Sequence, residues 1–242
     1  MSNPVNNYIH SETVHNTKAA EAFLPILLDY IKPHSVVDVG CGLGTWLKVF
    51  EANGINEVLG VDGNYIDQSK LQINKKDFLL HDLTEPLNHD RKFDLAICLE
   101  VAEHLPETSS DIIIDTLTCL SETILFSAAL PNQGGQNHIN EQTFSYWTEK
   151  FNKKGFVVKD LFREKIWQNE DINWWYRQNM FLVVKSEEKQ LPILDFYHPA
   201  RYQQIIAEVD SSNKRIRDFY NGKISPKQAA KTFLKSLLLR GK

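Results

Sequence analysis

Short apolar runs alternate with amphipathic stretches along most of the chain. Runs rich in β-branched residues are typical of buried strands, and apolar positions that recur every three or four residues predict helices. The predicted strands cover residues 35–39, 57–61, 78–80, 94–99, 123–127, 156–161 and 180–184. The predicted helices that separate them cover residues 18–31, 46–53, 112–120 and 140–154.

This alternation predicts a Rossmann-like α/β fold with a doubly wound, mostly parallel seven-stranded sheet. Ligands on such a sheet bind beyond the carboxyl ends of the strands, where the strand order reverses. We divide the 242 residues into an N-terminal lid or loop at 1–17, a main domain at 18–188 and a C-terminal helical extension at 189–242.

A glycine-rich turn follows the first predicted strand directly. It reads Gly40-Cys41-Gly42-Leu43-Gly44, and glycine tolerates both positive φ and the close approach of a ligand to the backbone. Asp38 precedes the turn by two residues, where its carboxylate could accept from a cationic or amino group. Dinucleotide-binding loops have a different glycine spacing and lack this acid, so the pattern disfavours the main alternative, an NAD-dependent oxidoreductase.

Acidic residues also end the next three predicted strands. Asp62, followed by Gly63, ends the second strand, where ribose hydroxyls would lie. Asp82 follows the third strand and could accept from the exocyclic amine of an adenine, with His81 or Leu83 beside the ring. Glu100 ends the fourth strand. The glycine turn and the acids therefore fall in order on four successive strand ends.

Residues 35 to 185 resemble the class I S-adenosylmethionine-dependent methyltransferases. The resemblance implies S-adenosyl-L-methionine as the cofactor, with Asp38 and Gly40 near its methionine part, Asp62 at the ribose and Asp82 at the adenine. Glu100 would lie near the methyl group. The cofactor-binding residues predicted in this way are Asp38, Gly40, Cys41, Gly42, Gly44, Asp62, Gly63, Asp82, Leu83 and Glu100.

Two segments at the same edge of the sheet are candidates for the acceptor side. The first, Glu100-Val101-Ala102-Glu103-His104, is similar to a stretch common in small-molecule methyltransferases. The second is the polar loop at 130–142, which carries His138 and many amides; its alternative interpretation is an ordinary solvated loop. We predict Glu100, His104 and His138 as catalytic residues, with a histidine taking the proton of an acceptor hydroxyl.

Glu100, Glu103, His104 and His138 also form a candidate metal site. The first three would share one face of a helical turn, and two carboxylates with two imidazoles can hold a divalent cation that activates a hydroxyl. The pattern looks like the metal site of the small-RNA terminal 2′-O-methyltransferases, so a metal-dependent RNA 2′-O-methyltransferase is one alternative. A mechanism without metal stays open, because metal-free methyltransferases have the same Glu-His pair.

Across residues 8–185 the chain also resembles bacterial methyltransferase-domain proteins associated with capsule or other cell-surface glycan and natural-product biosynthesis. That resemblance implies O-methylation of a sugar, a glycan precursor or a related polar small molecule. A small-molecule N-methyltransferase and a non-catalytic binding subunit stay open. The aromatic group Trp167, Trp174, Trp175 and Tyr176 would either pack in the core or line the acceptor pocket, and Tyr8 and His10 would belong to the lid.

Bulk properties narrow the range of partners. The formal net charge of −4 provides no positive field for nucleic acid. The three cysteines form neither a zinc pattern nor a disulfide framework, and the N-terminus lacks a signal-peptide pattern, so we expect a cytoplasmic protein. No apolar run approaches the ~20 residues of a membrane span. The last amphipathic helix, predicted at 226–239, has three alternative interpretations. It could pack on the main domain or on a second subunit of a homodimer, it could be disordered or loosely tethered, or it could contact an anionic membrane surface.

Overall fold

The fold centres on one sheet in a computed structural model that describes residues 16–223 and 225–231. Its strands are β1 (Ser35–Val39), β2 (Glu57–Asp62), β3 (Phe78–Leu80), β4 (Leu95–Leu99), β5 (Thr123–Ser127), β6 (Phe156–Lys159) and β7 (Phe181–Lys185). The seven strands lie in the order β3-β2-β1-β4-β5-β7-β6. Strand β7 runs antiparallel to β5 and β6, whereas the other neighbours are parallel. The predicted Rossmann-like, mostly parallel sheet is therefore confirmed.

Helices cover both faces of the sheet. They are α1 (Lys18–Leu28), α2 (Thr45–Ala52), α3 (Ser110–Leu120), α4 (Phe144–Lys153), α5 (Arg163–Ile166) and α6 (Trp174–Asn179). Helices α1 and α2 pack on one face through an apolar cluster that includes Phe23 and Phe50. Helices α3 and α4 pack on the other face through a second cluster that includes Ile114 and Phe151. The central strands β1 and β4 are buried along their whole length because both faces are covered.

The predicted start of α4 at Asn140 is wrong. The helix begins at Phe144, and the hydroxyl of Thr143 caps it by accepting from the Tyr146 backbone N–H at 3.3 Å. Asn140 is instead buried in the preceding loop, where its backbone N–H donates to the Glu103 carbonyl at 3.0 Å and its amide donates to the Ser110 hydroxyl at 3.2 Å. These tertiary bonds hold the loop out of helical geometry. Helix α1 similarly ends at Leu28, three residues before the predicted end.

An extended segment at residues 190–198 is fixed to the main domain. The Gln190 side chain accepts from the Val158 N–H at 2.8 Å and donates to the Val158 carbonyl at 3.0 Å, and Asp195 accepts from the Phe144 N–H at 2.8 Å. The buried Arg163 guanidinium donates to the Leu194 carbonyl at 3.3 Å. The first compact unit accordingly runs to His198, so this segment packs with the main domain although the sequence boundary was set after residue 188.

The second compact unit begins at Pro199. It contains helix α7 (Pro199–Tyr220) and a further helical stretch at 226–231, which confirms the helical character of the C-terminal extension. The predicted lid, with Tyr8 and His10, and the end of the last predicted helix lie outside the described residues, apart from residues 16 and 17 of the lid. In the part of the chain that the structure describes, no helix has the length and apolar character needed to cross a membrane.

Candidate active site

A cleft of about 1030 Å³ opens at the carboxyl ends of β1, β2 and β4, where the strand order reverses. Its walls come from the turn after β1, the end of β2 and the segments that follow β3 and β4. Most of the predicted cofactor-binding residues line it, namely Asp38, Gly40, Cys41, Gly42, Asp62, Gly63, Asp82 and Leu83. Gly44 and Glu100 are not among the residues that line this cleft in the described structure.

The glycine turn has the positive φ angles that its sequence predicts, with φ +87° at Gly40 and +79° at Gly44. A Cβ at Gly40 would lie 2.3 Å from the Val101 side chain, and one at Gly44 would lie 3.0 Å from Ile73. Protein side chains therefore fill the space beside these two glycines. The packing of Val101 and Ile73 explains why both positions lack a side chain.

Asp62 ties the end of β2 to the glycine turn. Its carboxylate accepts from the Gly42 and Gly63 backbone N–H groups, each at 2.7 Å, and from the Tyr65 hydroxyl. Burial raises the pKa of Asp62, and the three hydrogen bonds oppose that rise. The Asp62 side chain faces the cleft, as a carboxylate that binds ribose hydroxyls must.

Asp38 is a buried carboxylate without a donor among the described residues. It is 3% exposed, lines the cleft and lies near Asp62. Burial raises the pKa of Asp38 well above its usual value, and the Asp62 charge raises it further. An unpaired buried carboxylate is costly, and a cationic group in the cleft would remove that cost. The site therefore fits a ligand with an ammonium group.

Asp82 and Leu83 form the third side of the cleft. The Asp82 carboxylate accepts from the Thr84 N–H at 2.9 Å and from the Thr84 hydroxyl at 2.7 Å, and these bonds lower its pKa. Leu83 is a buried apolar side chain in the same wall. An ionised acceptor beside an apolar surface suits a purine ring with an exocyclic amine.

Glu100 lies behind the cleft in a left-handed backbone conformation, with φ +55°. The 3₁₀ turn that follows begins only at Ala102, so the prediction that Glu100, Glu103 and His104 share one helical face is wrong. The Glu100 carboxylate accepts from the Gln133 amide at 3.1 Å and from the Asn179 amide at 3.1 and 3.3 Å. Burial raises the pKa of Glu100, and hydrogen bonds, chiefly from Asn179, oppose the rise.

The side-chain amides of Gln133, Gln178 and Asn179 form a hydrogen-bonded network around Glu100. Two backbone N–H groups fix which end of each amide donates. The His198 N–H donates to Gln178 Oε1 at 2.6 Å, so Gln178 Nε2 turns to Gln133 Oε1 at 3.1 Å and to Asn179 Oδ1 at 3.0 Å. The Leu130 N–H donates to the same Gln133 oxygen at 3.2 Å. Because a backbone N–H only donates, the Gln133 and Asn179 amides present their NH₂ groups to Glu100.

Glu103, His104 and His138 come together as predicted. One ligand atom from each lies within 4.8 Å of the others. Glu103 is fully buried, neither of its carboxylate oxygens has a hydrogen-bond partner in the described structure, and burial together with the Glu100 charge raises its pKa well above the usual value. His138 Nδ1 lies 2.8 Å from a Glu141 oxygen. Two imidazoles beside an unpaired carboxylate form a suitable donor set for a divalent cation.

His104 connects this cluster to the cleft. It lines the cleft together with Asn137 and Ile139 from the loop after β5, and its ring centroid is 4.8 Å from that of His138. The structure places two members of the predicted aromatic group differently, and whether any of them contacts an acceptor stays a prediction. Tyr176 lines the cleft, whereas Trp167 packs against the rings of Phe196 and His198.

Sequence reasoning missed the roles of Tyr65, Gln133, Gln178 and Asn179. Gln133 lies in the loop after β5, and Gln178 and Asn179 lie at the end of α6. These amides are 33 to 79 residues from Glu100 along the chain, so no local spacing links them to it. The signal for Tyr65 was weaker still, a tyrosine three residues after a strand-end acid. Tyr65 could have been found only by asking what contacts Asp62.

Comparisons with known proteins agree with this geometry. A family model described as a methyltransferase domain matches residues 13–185. The chain belongs to this methyltransferase domain family. Its strand order and strand-end cleft are those of the class I S-adenosylmethionine-dependent methyltransferases, whose cofactor is S-adenosyl-L-methionine.

Individual relatives of this methyltransferase-domain protein are distant. The ubiquinone biosynthesis O-methyltransferase of Actinobacillus pleuropneumoniae serotype 7 (strain AP76) is 30% identical over 105 residues, which are 36% of this chain and 45% of that protein. The chain thus matches less than half of the length of that curated relative.

Among solved structures, the methyltransferase domain of bacterial CtHen1-C has a TM-score of 0.52 at 20% identity, over 70% of this chain and 98% of that one. Streptomyces venezuelae DesVI has a TM-score of 0.51 at 12% identity, over 70% of this chain and 93% of that one. At these identities the similarity concerns the fold.

Proposed function

We propose that the protein is an S-adenosylmethionine-dependent methyltransferase (EC 2.1.1.-) that O-methylates a sugar, a glycan precursor or a related polar small molecule. The observation that carries the proposal is the pair of buried carboxylates, Asp38 and Asp62, at adjacent strand ends in one cleft. The cofactor has an ammonium group and a ribose diol. Asp38 lacks a partner for its charge, and Asp62 faces the cleft beside the glycine turn.

Each part of the cofactor has a candidate partner in the cleft. Asp38 would hold the ammonium group, Asp62 the ribose hydroxyls, and Asp82 with Leu83 the adenine. Gly40, Cys41, Gly42 and Gly63 would border the cofactor through the turn, as lining residues of the cleft. When bound, S-adenosylmethionine supplies a methyl group that is already activated for transfer, so the protein contributes mainly orientation.

His104 is the candidate base for the acceptor hydroxyl, because it is the histidine of the cluster that lines the cleft. Its imidazole would take the proton from the hydroxyl as the oxygen gains the methyl group. His138 lies directly behind His104, and its contact with Glu141 orients the ring. Glu100, which is predicted to be catalytic and to bind the cofactor, would act from its position behind the cleft.

We also propose that this cluster holds a divalent cation, with Glu103, His104 and His138 as its ligands. The fully buried, unpaired carboxylate of Glu103 is the observation that favours it. Such a cation would supply Lewis acidity at the acceptor hydroxyl. Glu100 stays a predicted fourth ligand, although its carboxylate now accepts from amides.

The same cluster favours the second candidate function, a metal-dependent RNA 2′-O-methyltransferase. The net charge of −4 opposes it. The polar Asn137 lines the cleft together with His104, which favours a small polar acceptor. The predicted homodimer and cytoplasmic location stay predictions.

A methyl-transfer assay with labelled S-adenosylmethionine tests the proposal. The acceptor panel contains free and nucleotide-linked sugars, small amines, and short RNAs with and without a terminal 2′-hydroxyl, each with Mn²⁺ or with a chelator. We expect label in a hydroxylated small molecule. Transfer confined to RNA, or to amines, would replace the acceptor assignment, and failure to bind S-adenosylhomocysteine would leave only a non-catalytic binding subunit.

The His104→Ala and His138→Ala variants test whether turnover needs both histidines in the same assay. We expect each to lose about 100-fold or more in turnover while it retains S-adenosylhomocysteine binding. His34→Ala, at an exposed histidine that does not line the cleft, is the matched control. Undiminished turnover in His138→Ala would make that residue structural, and undiminished turnover after chelation would remove the cation from the mechanism.

A further inference from the structure

Tyr65 contacts the carboxylate assigned to the ribose. Its hydroxyl donates to Asp62 Oδ1, and its ring covers Gly63 so closely that a Cβ there would lie 2.5 Å from it. The Tyr65 side chain lines the cleft and is 46% exposed. A side chain of this protein therefore holds a hydroxyl group where Asp62 faces the cleft.

Most of the lone-pair sites of the Asp62 carboxylate already accept a hydrogen bond. A carboxylate offers about four lone-pair sites. The Gly42 N–H occupies one on Oδ2, and the Gly63 N–H and the Tyr65 hydroxyl occupy two on Oδ1. One site is left, whereas a ribose diol that donates both of its hydroxyls needs two.

The three donors differ in how easily they can leave. The Gly42 and Gly63 N–H groups belong to the backbone of the glycine turn and of the end of β2, and releasing either would open the turn. The Tyr65 hydroxyl is on a half-exposed side chain that can change rotamer. Tyr65 is therefore the donor that exchanges at the lowest cost.

We propose that the Tyr65 hydroxyl is a placeholder for one ribose hydroxyl on Asp62, present in the cofactor-free protein and displaced when the cofactor binds. Tyr65 thereby stabilises the empty site and weakens cofactor binding, since its bond with Asp62 must break first. The inference rests on the proposed role of Asp62. Of the hydrogen bonds that oppose the burial of Asp62, the one from Tyr65 has the largest effect on its pKa, which agrees with a stabilising role in the empty site.

Calorimetric titration of the full chain with S-adenosylhomocysteine compares the wild type with Tyr65→Phe, which removes only the hydroxyl. We expect Tyr65→Phe to bind about three- to tenfold more tightly, the equivalent of one hydrogen bond. Without ligand its Tm should be lower by roughly 2–4 °C, and saturating ligand should remove the difference. Tyr30→Phe, whose ring packs on Phe162 outside the cleft, is the matched control and should leave the affinity unchanged.

A second control changes the ligand and tests whether the Tyr65 hydroxyl exchanges with a ribose hydroxyl. The 2′-deoxy analogue of S-adenosylhomocysteine has one ribose hydroxyl, for which the remaining acceptor site suffices, so the gain in Tyr65→Phe should disappear with it. Equal or weaker binding of S-adenosylhomocysteine by Tyr65→Phe would overturn the placeholder and leave the cofactor assignment intact. A folded wild type that fails to bind S-adenosylhomocysteine would refute the cofactor role of Asp62 itself, and the placeholder with it.

Discussion

The carboxylates that line the cleft and those that lie behind it are held in different ways. In the cleft, Asp62 accepts from the adjacent Gly63 N–H and from the Gly42 N–H of the glycine turn, and Asp82 accepts from the nearby Thr84 N–H. Behind it, Glu100 accepts from side-chain amides that are 33 and 79 residues away in the chain. Each region also contains one buried carboxylate without a donor in the described structure, Asp38 in the cleft and Glu103 behind it.

This difference separates what a motif encodes from what the tertiary fold assembles. The Asp82 site needs only a strand end and the turn that follows it. The Asp62 site needs in addition the pairing of β1 with β2, which brings the glycine turn beside it. The Glu100 network needs the loop after β5, helix α6 and the segment at 190–198 to converge. The acids that have no partner among the described residues agree with the proposal that the ammonium group of the cofactor completes the cleft and that a cation completes the region behind it.

The largest expected effect is that of Gly40→Ala, which strains the turn that both regions share. Its φ of +87° and the contact of 2.3 Å with Val101 should together cost about 3 kcal/mol of unfolding free energy. Thermal unfolding should show a fall in Tm of roughly 6–12 °C. Gly54→Ala is the matched control, because it has the same φ but nothing within 4 Å of the added Cβ. If both variants lose the same unfolding free energy, the Val101 side chain moves aside from the added Cβ without cost.

Asp38→Asn should weaken S-adenosylhomocysteine binding by about 10- to 100-fold, the loss of one charge-assisted hydrogen bond. Isothermal titration at several pH values measures it. Because the pKa of Asp38 is raised in the folded protein, affinity in the wild type should rise as pH rises through that pKa. The variant should lack this dependence. Asp111→Asn, on the exposed side of α3, is the control.

The same raised pKa has a consequence for the empty protein. The favourable contribution of a protonated Asp38 to stability is complete below the unfolded pKa and is lost as pH rises through the folded pKa. Asp38→Asn should therefore be more stable than the wild type at neutral pH when no ligand is present. Lower stability of this variant would show that Asp38 already has a partner.

Glu103→Met, with the smallest expected effect, tests the region behind the cleft. Replacing a buried carboxyl that has no partner by an apolar side chain of similar size should stabilise the protein by about 1–2 kcal/mol in the absence of metal. Chemical denaturation with a chelator present measures this, and Glu149→Met, on an exposed ion pair, is the control. Loss of stability in Glu103→Met would contradict the unpaired state of Glu103.

The sequence predicts which residues line the cleft better than it predicts the partners of Glu100, because strand ends and turns are local and the amide network is not. The order of Asp38, Asp62 and Asp82 follows from strand ends that meet at one edge of a parallel sheet, and eight of the ten predicted cofactor residues line the cleft. Gly44, also predicted to bind the cofactor, does not line the cleft, and Ile73 packs beside it. The placement of Asn140 and the partners of Glu100 depend on contacts between distant segments, which no local pattern records.

We propose that the cleft holds S-adenosylmethionine through Asp38, Asp62 and Asp82. A crystal structure of the complex with S-adenosylhomocysteine would show whether it does. We expect ribose oxygens within hydrogen-bond distance of Asp62, the ammonium group beside Asp38 and the adenine amine at Asp82. A ligand bound elsewhere, or a ribose that does not contact Asp62, would contradict it.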